Sequence, residues 1–189
     1  MKDMGSLGGD NVYVHSINDE GIATGYSDIP PGTPVFGHPV MWKDDRIVDL
    51  GAPAPGFNCA AGGSVNAKEQ VVGFAACNAD GLGYPFLWEK SNPIVDLNSL
   101  LVPGTELQVD NPTSINDRGE IACNCHTPSG EGRACLLVPL DDDQEWNDEA
   151  TAEQDSAVAR SPRAPTHSLD PNRGREGNSI RWSRNGKGH

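Results

Sequence analysis

The chain has 189 residues and a formal net charge of −13, with 14 Lys and Arg against 27 Asp and Glu. That balance makes it a poor electrostatic match for nucleic acid or an anionic membrane, and no run approaches the ~18 apolar residues of a spanning helix. Glycine (22) and proline (15) are abundant and aromatic residues make up 6%, which suits turn-dense β structure with a small aliphatic core on the length of one domain.

The N-terminal stretch MKDMGSLGGDNVYVHS has one lysine and no apolar run long enough for a secretory leader. As written, nothing in it directs the chain out of the cytoplasm. Three landmarks then recur in fixed order. Asp3-Met4-Gly5 returns as Asp49-Leu50-Gly51 and Asp96-Leu97-Asn98. The turn at Asn18, in SINDEGIATGY, returns at Asn66 in SVNAKEQVVGF and at Asn116 in SINDRGEIACN. The apolar run HPVMW (38–42) returns as YPFLW (84–88) and RACLL (133–137). The landmarks define three copies, about 3–48, 49–95 and 96–140.

Each copy reads as four short strands. In the second they fall near Ile47–Leu50, Asn58–Val65, Gln70–Ala75 and Tyr84–Trp88. Asparagine opens each central turn by bonding its own backbone, and Gly21 and Gly119 take positive φ at the far side without steric cost. Glu69 stands where the second copy needs that glycine, so the turn there is expected to be looser or shifted by one residue. Trp42 and Trp88 precede short turns, each followed by Ile-Val-Asp-Leu, which predicts a further hairpin. Short strands with turn residues between them predict an all-β fold for residues 1–140.

Composition changes at Leu140. Residues 141–155 carry eight acidic side chains and no basic one, and residues 156–189 are rich in Arg, Ser and Gly. So little apolar content cannot offset the entropy of ordering, and 141–189 reads as a disordered tail without repeats. Ile180-Arg181-Trp182 is a candidate docking motif, with a solvated tail preferred.

Asp-Leu-Gly, then Ile-Asn-x-x-Gly-x-Val-Val-Gly, then an apolar strand ending in Trp resembles the HAF repeat, over about residues 2–140. The triplet position reads His38-Pro39-Val40, Tyr84-Pro85-Phe86 and Arg133-Ala134-Cys135, none of them His-Ala-Phe. The resemblance implies four-stranded propeller blades and a bacterial protein of the exported kind. It brings no catalytic residues. Closed propellers have four to eight blades, so three copies and no leader point to a partial product, or to a half that needs a partner. Open sheet edges then invite self-association.

Candidate chemistry is sparse. Cys59 and Cys77 lie on either side of the Asn66 turn, nearly opposite if Val65 pairs near Val71, and Cys125 and Cys135 flank the loop HTPSGEGRA. Two disulfides, with Cys123 left free, suit an exported protein with a thin core. The competing reading is a metal site of Cys123, Cys125, Cys135 and His126, disfavoured because Cys-x-Cys lacks the two-residue knuckle spacing of zinc sites. Asp3, Asp49 and Asp96 recur with the repeat, as structural carboxylates do. Asp19, Glu20, Asp44, Asp45 and Asp117 sit in turns whose spacing matches no calcium loop. His15, His38 and His126 have no nucleophile motif beside them.

The positions expected to build the repeat are Asp3, Asn18, Gly21, Trp42, Asp49, Asn66, Trp88, Asp96, Asn116 and Gly119. No catalytic, cofactor or metal residue is assigned. The expected function is a binding or structural module presenting loops to a protein or glycan. The alternative is a polysaccharide-acting hydrolase or lyase, with carboxylates from blade loops lining an axial groove.

Overall fold

The computed structural model of the chain describes residues 1–32, 36–52, 57, 59–76, 83–90, 92–140 and 179–182. It is all-β, with no α-helix among the described residues. Its strands are β1 (Val12–Ile17), β2 (Ala23–Asp28), β3 (Gly37–Lys43), β4 (Arg46–Asp49), β5 (Cys59–Val65), β6 (Val71–Ala76), β7 (Tyr84–Glu89), β8 (Asn92–Asp96), β9 (Gln108–Ile115), β10 (Ile121–His126), β11 (Gly132–Pro139) and β12 (Ser179–Trp182). A 3-10 turn, Leu97–Leu100, follows β8.

Two sheets result. One runs β1-β2-β3-β5-β6-β7-β8 with β4 on β3, and the other runs β12-β11-β10-β9. Within the first sheet β1 to β4 form one antiparallel meander and β5 to β8 another. A single parallel residue pair, Gly37 with Cys59, joins them. Because β4 bonds to β3, the strand expected near Ile47–Leu50 to open the second copy instead closes the first hydrogen-bonded set, and the sets run 12–49 and 59–96.

The asparagine turns explain why these hairpins form where they do. Asn18 N donates to Ile22 O (3.0 Å) and Gly21 N to Asn18 O (3.1 Å). Asn66 and Asn116 close their turns with the same pair of main-chain bonds, and their Oδ1 atoms accept 3.0 Å bonds from the amides two and four residues on. A bulge precedes each turn, at His15, Gly63 and Thr113, where the register skips one residue.

Glu69 corrects the sequence reading. Its turn is neither loosened nor shifted: Glu69 N still bonds Asn66 O at 3.0 Å, and Glu69 takes the glycine's conformation at φ +62. The left-handed region costs a residue with a Cβ about 1–2 kcal/mol. The Asn66 bonds hold the turn against that cost, as does an ion pair of Glu69 with Lys43 on β3. The β3–β4 hairpin is also left-handed at both loop residues, Asp44 (φ 49) and Asp45 (φ 62), the conformation that matches strand twist in a two-residue loop.

The C-terminal segment holds the second correction. Residues 141–178 and 183–189 lie outside the described residues. Within the stretch read as tail, however, Ser179–Trp182 pairs in parallel with β11, Leu137 opposite Ile180 and Pro139 opposite Trp182. Ile180 (7% exposed) and Trp182 (0%) are core residues. Burial of an indole and an isoleucine stabilises the strand by several kcal/mol, which a four-residue window of local composition does not register.

The core is divided. Ile22, Met41 and Leu50 of the first set pack with Val65, Val71, Ala75, Phe86 and Trp88 of the second. Val72, Leu87, Leu97 and Leu100 pack with Val109, Ile115, Ile121, Leu137, Ile180 and Trp182. A smaller group of Ala23, Val40 and Trp42 lies under Leu7 of the N-terminal segment.

Candidate functional site

The recurring polar residues do similar work in each set. Asp3, Asp49 and Asp96 each turn back to accept a main-chain amide two residues on, from Gly5 (2.9 Å), Gly51 (2.8 Å) and Asn98 (2.8 Å). Burial raises the pKa of Asp96, against the Asn98 hydrogen bonds that lower it. Trp42 and Trp88 are buried, and Trp42 Nε1 donates to Gly5 O at 3.2 Å. Gly21 and Gly119 take φ +76 and +84 at the far side of their turns.

Two of the turns stack. Asn66 is buried, and its Nδ2 donates both to Gln70 Oε1 (2.6 Å) and across to Asn116 O (2.9 Å). Ala67 N donates to Asp117 Oδ1 (2.8 Å), and Ile115 N to Ser64 Oγ (3.2 Å). The matching atoms of the first turn, Ser16 Oγ and Asn18 Nδ2, are buried with no hydrogen-bond partner.

The cysteines divide between the two sheets. Cys59 is disulfide-bonded; it stands opposite Ala76, and its expected partner Cys77 lies outside the described residues. The expected Cys125–Cys135 bridge is absent, since Cys123, Cys125 and Cys135 are all free thiols. The cause is register. The tight turn closed by Thr127 and Glu131 (3.0 Å) sets Cys135 opposite Cys123 and leaves Cys125 opposite Arg133.

Two of the three sulfurs meet. Cys123 and Cys125 point to one buried face with their Sγ atoms 3.5 Å apart, and Cys123 Sγ approaches Cys135 O at 3.7 Å. Burial pushes the Cys123 thiol up to about 11. Burial pushes the Cys125 thiol higher still, with its contacts to Cys135 and Cys123 adding to the shift. Such thiols are protonated and poor nucleophiles at neutral pH. His126 Nδ1 turns away to Asp110 Oδ1 at 2.5 Å. No group of three potential metal ligands gathers among the described residues.

The other histidines among the described residues also have partners: His38 Nδ1 lies 2.8 Å from Asp49 Oδ1, and His15 Nδ1 lies 3.0 Å from Gly62 O. One surface patch escaped the sequence reading. Tyr13 stacks on Tyr26 with ring centroids 6.2 Å apart at 30°. Asp28 accepts from the Tyr26 hydroxyl and from Asn11 Nδ2 (2.6 Å). Burial and the Asp28 carboxylate push the Tyr26 hydroxyl up to about 12. The signal available was the unbroken apolar run Val12-Tyr13-Val14, all three of which are exposed. No family model, curated protein or solved structure matches the chain.

Proposed function

We propose that residues 1–140 hold three propeller-blade-like repeats of the HAF type, and that the chain is a non-catalytic binding module whose loops face a glycan or a protein. Support for the blades comes from strand order. β1 to β4 and β5 to β8 are four-stranded meanders, and β9 to β11 with β12 make a third set in which the outer strand runs parallel. The observation that carries the reading is the asparagine turn, closed by the same main-chain bonds at Asn18, Asn66 and Asn116. The non-catalytic reading is supported by how the reactive groups are used. The recurring aspartates hold backbone, the buried thiols are kept protonated, and His38 and His126 are paired with carboxylates. The Cys59 disulfide favours an oxidising compartment.

The stacked Tyr13 and Tyr26 beside Asp28 and Asn11 offer what a sugar ring uses, an aromatic face with hydrogen-bonding carboxylate and amide groups. Screening the purified chain on immobilised polysaccharides, with a reducing-end assay alongside, tests this. Retention on a polysaccharide, lost in Tyr13→Ala and without release of reducing ends, is the expected result. Release of reducing ends or unsaturated products would replace it with the hydrolase or lyase reading. Binding to no glycan would move the ligand to protein.

A further inference from the structure

The two internal junctions show what covers each face of a strand set. Ile17, Val65 and Ile115 hold the same place, just before the asparagine of their turns. Val65 and Ile115 are each 5% exposed, because each packs on the preceding set: Val65 among Ile22, Met41 and Leu50, and Ile115 among Val72 and Leu87. Ile17 is 68% exposed. The opposite face tells the same story in reverse. Met41 (2% exposed), Leu87 (3%) and Leu136 (42%) are equivalent, and they pair with Thr24, Val72 and Ala122. Thr24 and Val72 are buried, whereas Ala122 is exposed.

Ile17 on one face, and Leu136 with Ala122 on the other, are thus open where the internal junctions close the equivalent positions, while Ala23, Val40 and Trp42, the equivalents of Val71, Phe86 and Trp88, are already covered by Leu7 of the N-terminal segment. One chain carries both halves of the contact. Its polar half is present as well. Asn116 Nδ2 bonds Glu120 Oε2 at 2.6 Å as Asn66 Nδ2 bonds Gln70 Oε1. The second Asn66 hydrogen reaches the carbonyl of the next turn, and the second Asn116 hydrogen has the turn carbonyl at Asn18 as its equivalent target.

We propose that two copies of this chain pack head to tail, the β1 face of each against the β10–β11 face of the other, so that Leu136 and Ala122 of one cover Ile17 of the second. The expected polar contacts are Asn116 Nδ2 to Asn18 O, Asp117 N to Asp19 Oδ1 and Ile17 N to Ser114 Oγ, each across copies. The proposal rests on the blade reading. Three blades from each copy give six, within the four to eight that close a ring, and a heterologous contact that closes makes a ring in place of a filament. Each copy carries −13, so added salt strengthens the dimer by screening repulsion.

Sedimentation of the full chain tests it, with Ile17→Lys and Leu136→Glu as variants of exposed side chains that leave the fold intact. The expected mass is twice 20.1 kDa. Each variant alone should weaken association by at least about tenfold. An equimolar mixture of the two variants should restore a dimer, because one junction is then native and the other pairs Lys with Glu. A monomer at about 100 micromolar, inside the micromolar-to-millimolar range in which exposed apolar surface associates, a dimer indifferent to Leu136→Glu, a mixture that stays monomeric, or filaments that lengthen with concentration would each overturn it. Hydrogen exchange on the same samples separates this failure from that of the blades. Cooperative exchange across all three strand sets in a monomer removes the dimer and keeps the blades; independent exchange of β9–β12 fails the blades themselves.

Discussion

Between β5–β8 and β9–β12, hydrogen bonds link one asparagine turn to the next, from Asn66 Nδ2, Ala67 N and Ile115 N. Between β1–β4 and β5–β8 the same motif residues make no such links. Ser16 Oγ and Asn18 Nδ2 stay unpartnered, and the sets meet through packing, the Lys43–Glu69 ion pair and the His15 contact to Gly62. Packing there is close: a Cβ on Gly62 would stand 2.1 Å from Thr24 Oγ1. A buried polar atom without a partner costs about 1–3 kcal/mol. The same turn sequence thus stabilises a junction only where the following turn presents its carbonyl and an aspartate. Local opening is expected first at the junction of β1–β4 with β5–β8.

Replacing Trp182 gives the largest expected difference. Its side chain fills the core shared by the second and third sets, and Trp182→Ala should cost about 3–5 kcal/mol in urea unfolding. A change within ~0.5 kcal/mol, the level of a surface substitution, would return β12 to a solvated tail.

Alkali probes the same junction. Burial pushes the Cys123 thiol up to about 11, above the ordinary thiol range, and Cys125 is raised further. The folded state therefore holds these protons more tightly than the unfolded state. The stabilisation is complete below about pH 9 and is lost as pH rises through 11. Chemical denaturation across that range should show the decline, and Cys123→Ala should blunt it. Native-state labelling should leave Cys123 and Cys125 unmodified at neutral pH.

At the other junction the effects are smaller. Glu69→Gly relieves a left-handed backbone but removes the Lys43 partner and loosens the unfolded chain, so stability should rise by no more than about 1 kcal/mol. A loss above ~1 kcal/mol would mean that the ion pair outweighs the strain. The Lys43 hydrogen bond holds the Glu69 carboxyl below its usual range. The pair's contribution is therefore present above the ordinary carboxylate pKa and fades as pH falls through the lowered one.

The contrast also marks how much the chain discloses by itself. The hairpins at Asn18, Asn66 and Asn116 were legible because each is decided within five residues by a side chain bonding its own backbone. The Cys125–Cys135 pairing was not, because the turn between Thr127 and Glu131 fixes a register two residues away from the expected one. Glu69 misled because the Lys43 that pairs with it lies 26 residues back. β12 was invisible for a similar reason: its partner β11 is some forty residues distant, and four residues carry no period. Ile17 and Leu136 needed surface exposure, which no local pattern contains.

Stacking of the asparagine turns is tested most directly by comparing Asn66→Ala with Asn18→Ala in urea denaturation. Asn66 makes four side-chain hydrogen bonds, two received from Lys68 and Gln70 and two donated to Gln70 and Asn116. Asn18 accepts one, from Ile22. Stacked turns predict a loss of about 3 kcal/mol at Asn66 against about 1 kcal/mol at Asn18. Equal losses at the two positions would contradict the stacking.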